Sequence, residues 1–110
     1  MELPKQYKEK WVNALRSGNF QQEDGQLYNC GAFCALGVAL HVCNGISLDN
    51  LEELNQPSDL EPYLTDTEYR AIPREIRHGD LRDYVIDLND NERYSFNMIA
   101  DYIEENVIAR

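Results

Sequence analysis

Trp11-Val-Asn-Ala-Leu-Arg-Ser-Gly18-Asn-Phe-Gln-Gln-Glu-Asp-Gly25-Gln-Leu27 is the stretch on which the fold turns. A helical pattern runs into it, a glycine stops that pattern, and a polar ribbon turns back at Asp24-Gly25. Upstream, Tyr7, Trp11, Ala14 and Leu15 recur on one helical face, with lysines and Glu9 on the other. Pro4 suits the first turn of that helix, where its missing N–H costs nothing. Gly18 suits the position just past the end, which favours a positive φ. Residues 19–29 then read as a hairpin: Phe20 and Leu27-Tyr28 favour strands, and Asp24-Gly25 favours the turn. Such a ribbon is marginal alone in water, so it must lie on the helices.

Downstream, Asn29-Cys30-Gly31 marks a second turn. Residues 33–42 are apolar almost all round, broken only by Gly37 and His41, as in a helix at the centre of a domain. Glycine inside a helix costs about 1 kcal/mol against alanine, so Gly37 predicts close approach by another backbone, that of the first or last helix. Asn44-Gly45 supplies the stop. Ser47 is placed to cap a helix through Leu48, Leu51 and Leu54. Residues 55–62, with two prolines, read as a loop. Thr65 to Glu68 is a capping box opening a short helix towards Ile72, which Pro73 ends or kinks. Asp80 is placed to cap another helix with Leu81, Tyr84, Val85 and Leu88 inward. Residues 89–94 read as a polar loop, and Ser95 caps a last helix with the stripe Phe96, Ile99, Ala100, Ile103 and Val107.

The expected fold is therefore α+β and mostly helical. It is a small single domain over residues 1–110, with four to six helices and one short β-hairpin. Trp11, Leu15, Leu36, Val38, Phe96, Ile99 and Ile103 carry the helical stripes and are expected in one core.

A chain of 110 residues holds one hydrophobic core. Its 43% hydrophobic and 27% charged content is that of a folded domain. No apolar run approaches the roughly 18 residues of a bilayer span. The start, Met-Glu-Leu-Pro-Lys, lacks a signal peptide's basic and apolar regions, so a cytoplasmic protein without membrane contact is expected. Cys30, Cys34 and Cys43 cannot all pair within one chain, and reduced thiols follow. The net charge of −10 is uneven. Residues 1–45 are balanced, whereas the rest sets 16 acids against six arginines. That surface repels nucleic acid and anionic lipid, and suits solubility or a basic protein partner.

Three stretches together resemble a widespread group of small phage and prophage proteins of unknown function. The first is Trp11, Ala14-Leu15-Arg16-Ser17-Gly18, Phe20, Gln22, Gly25 and Leu27. The second is Phe33-Cys34-Ala35-Leu36-Gly37-Val38, similar to that group's aromatic-Cys-Cys-Leu-Gly-Val segment. The third is Leu88-Asn89-Asp90, followed by Ser95-Phe96, Ile99-Ala100-Asp101 and Ile103-Glu104. Residues 44–80 have no counterpart. Ala35 stands where the group usually has a second cysteine, against any mechanism needing both thiols. The resemblance implies a phage setting, hence the host cell cytoplasm, and no particular reaction.

Cys34 lies near the start of a helix after a turn, where the helix dipole would favour a thiolate, as in thiol hydrolases. His41 is two turns further on, too far to take the thiol proton, and His78 could approach only through the fold. The competing reading is a small buried apolar thiol. Cys30, Cys34, His41 and Cys43 lack the spacing of a zinc site, so no metal is expected. No Gly-rich phosphate loop, Ser-His-Asp order or two-histidine motif is present, and no cofactor is expected. Asp90 and Glu92 fit solvated charges better than a glycosidase pair.

Arg16, Ser17, Gln21, Gln22 and Gln26, with Asn89 and Asp90, form the remaining candidate site. Arginine and amides can hold a phosphate, a carboxylate or a base edge. Alternatively they tie the fold, Arg16 reaching Asn89-Asp90 and Gln22 satisfying the hairpin backbone. The expected function is a non-enzymatic, acidic, phage-type binding protein with an anti-defence role. It would bind a host protein or sequester a small signalling nucleotide, without direct nucleic-acid binding, and a homodimer is compatible with it. The alternatives are a thiol hydrolase using Cys34 and an acidic nucleic-acid mimic.

Overall fold

In the computed structural model, which describes residues 1–110, the indole of Trp11 is fully buried and donates to the Ala35 carbonyl (2.9 Å). That bond joins helix α1 (Lys5–Arg16) to α2 (Ala35–Asn44), and α1 also packs along α7 (Phe96–Asn106). The apolar stripes expected on these helices meet there. Trp11, Leu15, Leu36, Val38, Phe96, Ile99 and Ile103 are all buried in one cluster. Ile103→Ala should cost about 2–5 kcal/mol, read from the urea denaturation midpoint; a loss below about 1 kcal/mol would mean that the stripe is not the core.

Three strands follow α1: β2 (Gln21–Gln22), β3 (Tyr28–Asn29) and β4 (Ala32–Phe33). The hairpin is not closed at Asp24-Gly25 as the sequence suggested. β4 is central, antiparallel to β3 and parallel to β2. The tight turn is Cys30-Gly31, with φ of 51° and 88°, as a hairpin with a right-handed twist requires. Asp24-Gly25 still turns the chain, but the residues after it find partners elsewhere. The Gly25 N–H donates to Asp90 (3.1 Å), and that of Leu27 donates to the Leu54 carbonyl (2.6 Å).

The ribbon, rather than the first or last helix, is the backbone that Gly37 admits. A Cβ built on Gly37 would stand 1.9 Å from the Leu27 carbonyl oxygen.

The middle of the chain is more helical than expected. α3 (Leu48–Leu51), α4 (Asp66–Arg70) and α5 (Arg74–Arg77) are helices of four or five residues. The presumed loop holds a 3₁₀ helix, Pro57–Tyr63, whose Asp59 carboxylate accepts from the N–H groups of Asn55 and Gln56. With α6 (Asp80–Asp90) and α7, there are seven α-helices and one 3₁₀ helix, against the four to six expected. α3 stops before Leu54, because Glu53 takes a φ of 67° and the Leu54 carbonyl is given to the ribbon.

Three further corrections concern α6. Gly79, with φ of 99°, takes the cap position expected for Asp80, and no side chain caps the helix. Asn89 and Asp90 belong to its last turn, not to a loop, and Tyr84 is 54% exposed. The buried stripe is Leu81, Val85, Leu88 and Asn89, so an amide on the other flank of the stripe is inward while Tyr84 faces out. β1 (Glu2–Leu3) pairs parallel with β5 (Ile108–Ala109), which ties the two ends of the chain together. Arg110 adds an ion pair to Glu75. No helix is long and apolar enough to cross a membrane.

Candidate functional site

Asn89 is the one buried polar residue of the domain, 1% exposed. Its Oδ1 accepts from Gln22 Nε2 (2.9 Å) and from the Ala35 N–H (3.2 Å). Its Nδ2 donates to the Glu23 carbonyl (2.8 Å) and to Asp90 Oδ1 (2.8 Å). A side-chain amide has two donors and two acceptor lone pairs, so this one is saturated. Gln22 also donates to the Tyr94 carbonyl (2.7 Å). Asn89 therefore joins the end of α6, the start of α2 and the ribbon, and satisfies a helix N-terminus that α2 would otherwise bury unpaired.

Arg16 does not reach Asn89 or Asp90. It pairs with Asp101 (2.7 Å) and Glu104 (3.1 Å) on α7, because α1 runs along α7 while the end of α6 meets the ribbon. Both acids are half exposed or more, so these pairs add little stability. Ser17 Oγ donates to the Ala14 carbonyl and accepts from the Asn19 N–H, completing the end of α1. Gln21 is exposed on β2. The structure thus brings Gln22, Asn89 and Asp90 together, and leaves Arg16, Ser17 and Gln21 outside that cluster.

Beside the cluster lies an open depression of about 330 Å³, lined by Gln22, Glu23, Asp24, Asn89, Arg93 and Tyr94. Burial, then the neighbouring Asp24, pushes the Glu23 carboxyl up. The one arginine lies 4.0 Å from Asp24. Two acids against one engaged cation disfavour a phosphate here.

Cys34 caps α2, its sulfur accepting from the Gly37 N–H (3.4 Å). Burial nevertheless pushes its thiol up to about 12, against the pull of that N–H. Desolvation outweighs the helix terminus, and the thiol stays protonated at neutral pH. The adjoining cavity is about 10 Å³, room for a single water and no substrate. His41 is engaged elsewhere, Nδ1 lying 2.8 Å from the Ile46 carbonyl oxygen. Iodoacetamide under native conditions should therefore label the exposed Cys30 and leave Cys34 intact, as read by peptide mass mapping. Rapid labelling of Cys34 would restore the nucleophile reading.

A second feature lies on the outer face of α6 and α7. Asp80, Asp83, Tyr84 and Asp87 line an open depression of about 320 Å³. Tyr102 stands beside it, ring centroids 6.2 Å from Tyr84. Met98 lies one turn before Tyr102 and is 48% exposed. Sequence reasoning placed Tyr84 inside and so missed this face. The signal was available: aspartates at 80, 83 and 87 recur at helical spacing around residue 84, which marks an outward face.

The family described as a domain of unknown function, DUF8296, matches residues 3–79. The match runs from β1 through α5 and stops one residue short of α6. No curated protein and no solved structure matches the chain.

Proposed function

The chain belongs to the DUF8296 family, and we propose that it is a non-enzymatic, phage-type binding protein that engages a host protein in the host cell cytoplasm, in an anti-defence role. The phage setting rests on the resemblance of the Trp11–Leu27, Phe33–Val38 and Leu88–Glu104 motifs. One observation carries the protein-binding reading: around Tyr84, the carboxylates of Asp80 and Asp87 have no cationic partner. Unpaired acids beside an exposed aromatic favour a basic protein surface and disfavour nucleic acid or lipid.

The competing readings lose their chemistry. A thiol hydrolase needs a thiolate and room for a substrate, and Cys34 has neither. A nucleotide trap needs free donors, but those of Gln22 and Asn89 are consumed inside the fold. A nucleic-acid mimic remains a special case of the same reading, its partner being a DNA-binding protein.

Native mass spectrometry of tagged protein drawn from host lysate tests the proposal. The expected result is a protein partner that dissociates as salt is raised. A stoichiometric nucleotide in place of a protein would overturn it.

A further inference from the structure

We propose that the outer face of α6 and α7 docks an arginine-bearing segment of the partner, a guanidinium lying over the Tyr84 ring between Asp80 and Asp87. This rests on the protein-binding reading and names the chemistry of the partner.

Asp80 and Asp87 lie one turn before and one turn after Tyr84, so both carboxylates flank the exposed ring. The same three residues, with Asp83, line one open depression. The nearby cation, Arg82, is already committed: it donates to Asp83 (2.8 Å), the Arg77 carbonyl (3.1 Å) and Gln56 (3.3 Å). Asp83 is thereby neutralised. Asp87 accepts only from Asn91, and Asp80 makes no ion pair or side-chain hydrogen bond.

Next comes the apolar part. Tyr84, Met98 and Tyr102 give the face an aromatic and thioether body beside the aspartates of α6. Aromatic anchors inside a charged rim are how protein interfaces are built. The charge selects the occupant. A second copy would bring the same carboxylates face to face, and nucleic acid or an anionic bilayer would be repelled. Arginine suits the place better than lysine, because its planar guanidinium stacks on an aromatic face while its N–H groups reach two carboxylates.

The test uses a fluorescein-labelled synthetic peptide of arginine and leucine at helical spacing, with lysine and glutamine versions as controls. Anisotropy gives affinities, and two-dimensional NMR of ¹⁵N-labelled full-length protein maps the contact. The expected shifts fall on Tyr84, Asp87, Met98 and Tyr102. Tyr84→Ala should weaken the arginine peptide about 2–5-fold. The double variant Asp80→Asn/Asp87→Asn should weaken it about tenfold at low salt and less at high salt. Lysine should bind more weakly than arginine, and glutamine more weakly still. All these side chains are exposed, so the variants should keep the native circular dichroism spectrum.

The docking face is overturned if the variants bind as the wild type does, if glutamine binds as well as arginine, or if the shifts gather away from α6 and α7. Self-association that Tyr84→Ala abolishes would assign the face to a second copy and overturn it too. A host protein captured equally by wild type and by the double variant would sink the docking face but leave the protein-binding reading standing. A nucleotide carried in place of any protein would sink both.

Discussion

Gly37→Ala is expected to destabilise the domain by at least about 3 kcal/mol, at or beyond the upper end of ordinary overpacking. In a free helix the same change would stabilise by about 1 kcal/mol, so the expected sign is reversed. The new Cβ would meet the Leu27 carbonyl oxygen at 1.9 Å and its carbon at 2.8 Å. Backbone there has little freedom to retreat. The Leu27 N–H is held by the Leu54 carbonyl (2.6 Å), and its carbonyl accepts from the Cys34 N–H (3.2 Å). The Leu27 side chain is fully buried. Moving the ribbon would therefore break the bond at the start of α2 or the bond to Leu54 in the segment after α3. Gly37→Leu should be worse. The denaturation midpoint decides: an unchanged or raised midpoint for Gly37→Ala would mean that ribbon and helix are free to part.

This glycine also marks the limit of what could be read from the chain. That something must pass close to Gly37 was legible, because glycine in an apolar helix is costly without a reason. What passes there was not, since Leu27 reaches it through the pairing of β2 and β3 with β4 and through the bond to Leu54. The same division holds elsewhere. Ser47, Thr65 with Glu68, and Ser95 cap their helices as expected, because a cap is a bargain between residues three apart. The α7 stripe is buried as expected, because periodicity is local. By contrast, the β1–β5 pair joins residues at opposite ends of the sequence and leaves no local mark. The Asp24-Gly25 turn signal was real, but a turn does not choose the partner strand.

For the candidate site, Gln22, Asn89 and Asp90 were legible as members of one polar corner, whereas Arg16, Ser17 and Gln21 lie outside it and the wiring could not be read. Gln22 and Asn89-Asp90 are the polar members of two motifs far apart in the sequence, each flanked by apolar residues that must meet in one core. Placing residues 89–94 in a loop gave the charge of Asp90 the leading role. Inside α6, the residue in register with Leu81, Val85 and Leu88 is Asn89, and a neutral amide is the cheaper group to bury. The acids that take Arg16, Asp101 and Glu104, are three apart on α7 and so share a face, a pairing that becomes visible only when α1 is laid along α7.

Replacing Asn89 follows from that wiring and is the other large effect expected. Asn89→Ala would remove four hydrogen bonds at once. Two of the partners keep another bond: Gln22 retains the Tyr94 carbonyl, and Asp90 retains the Gly25 N–H. The Ala35 N–H and the Glu23 carbonyl lose their side-chain partner, and each buried group left unsatisfied costs about 1–3 kcal/mol. The expected loss is therefore about 3–5 kcal/mol. Asn89→Asp keeps the shape and the Oδ1 bonds but sets a second acceptor against the Glu23 carbonyl and the Asp90 carboxylate. Its carboxyl should titrate above the ordinary value near 3.9, since burial and Asp90 both oppose the charge. A folded-state value raised above the unfolded one means that the unfolded chain holds fewer protons, so stability should fall as pH rises from about 4 towards neutrality. Asn89→Ala, lacking that group, should not acquire this dependence. Because Gln22 and Asn89 share one bond, Gln22→Ala combined with Asn89→Ala should cost less than the sum of the two. Additive losses, or an Asn89→Ala variant within about 1 kcal/mol of the wild type, would mean that the amide only fills space and that the ribbon is held by its backbone bonds to Leu54 and Phe33.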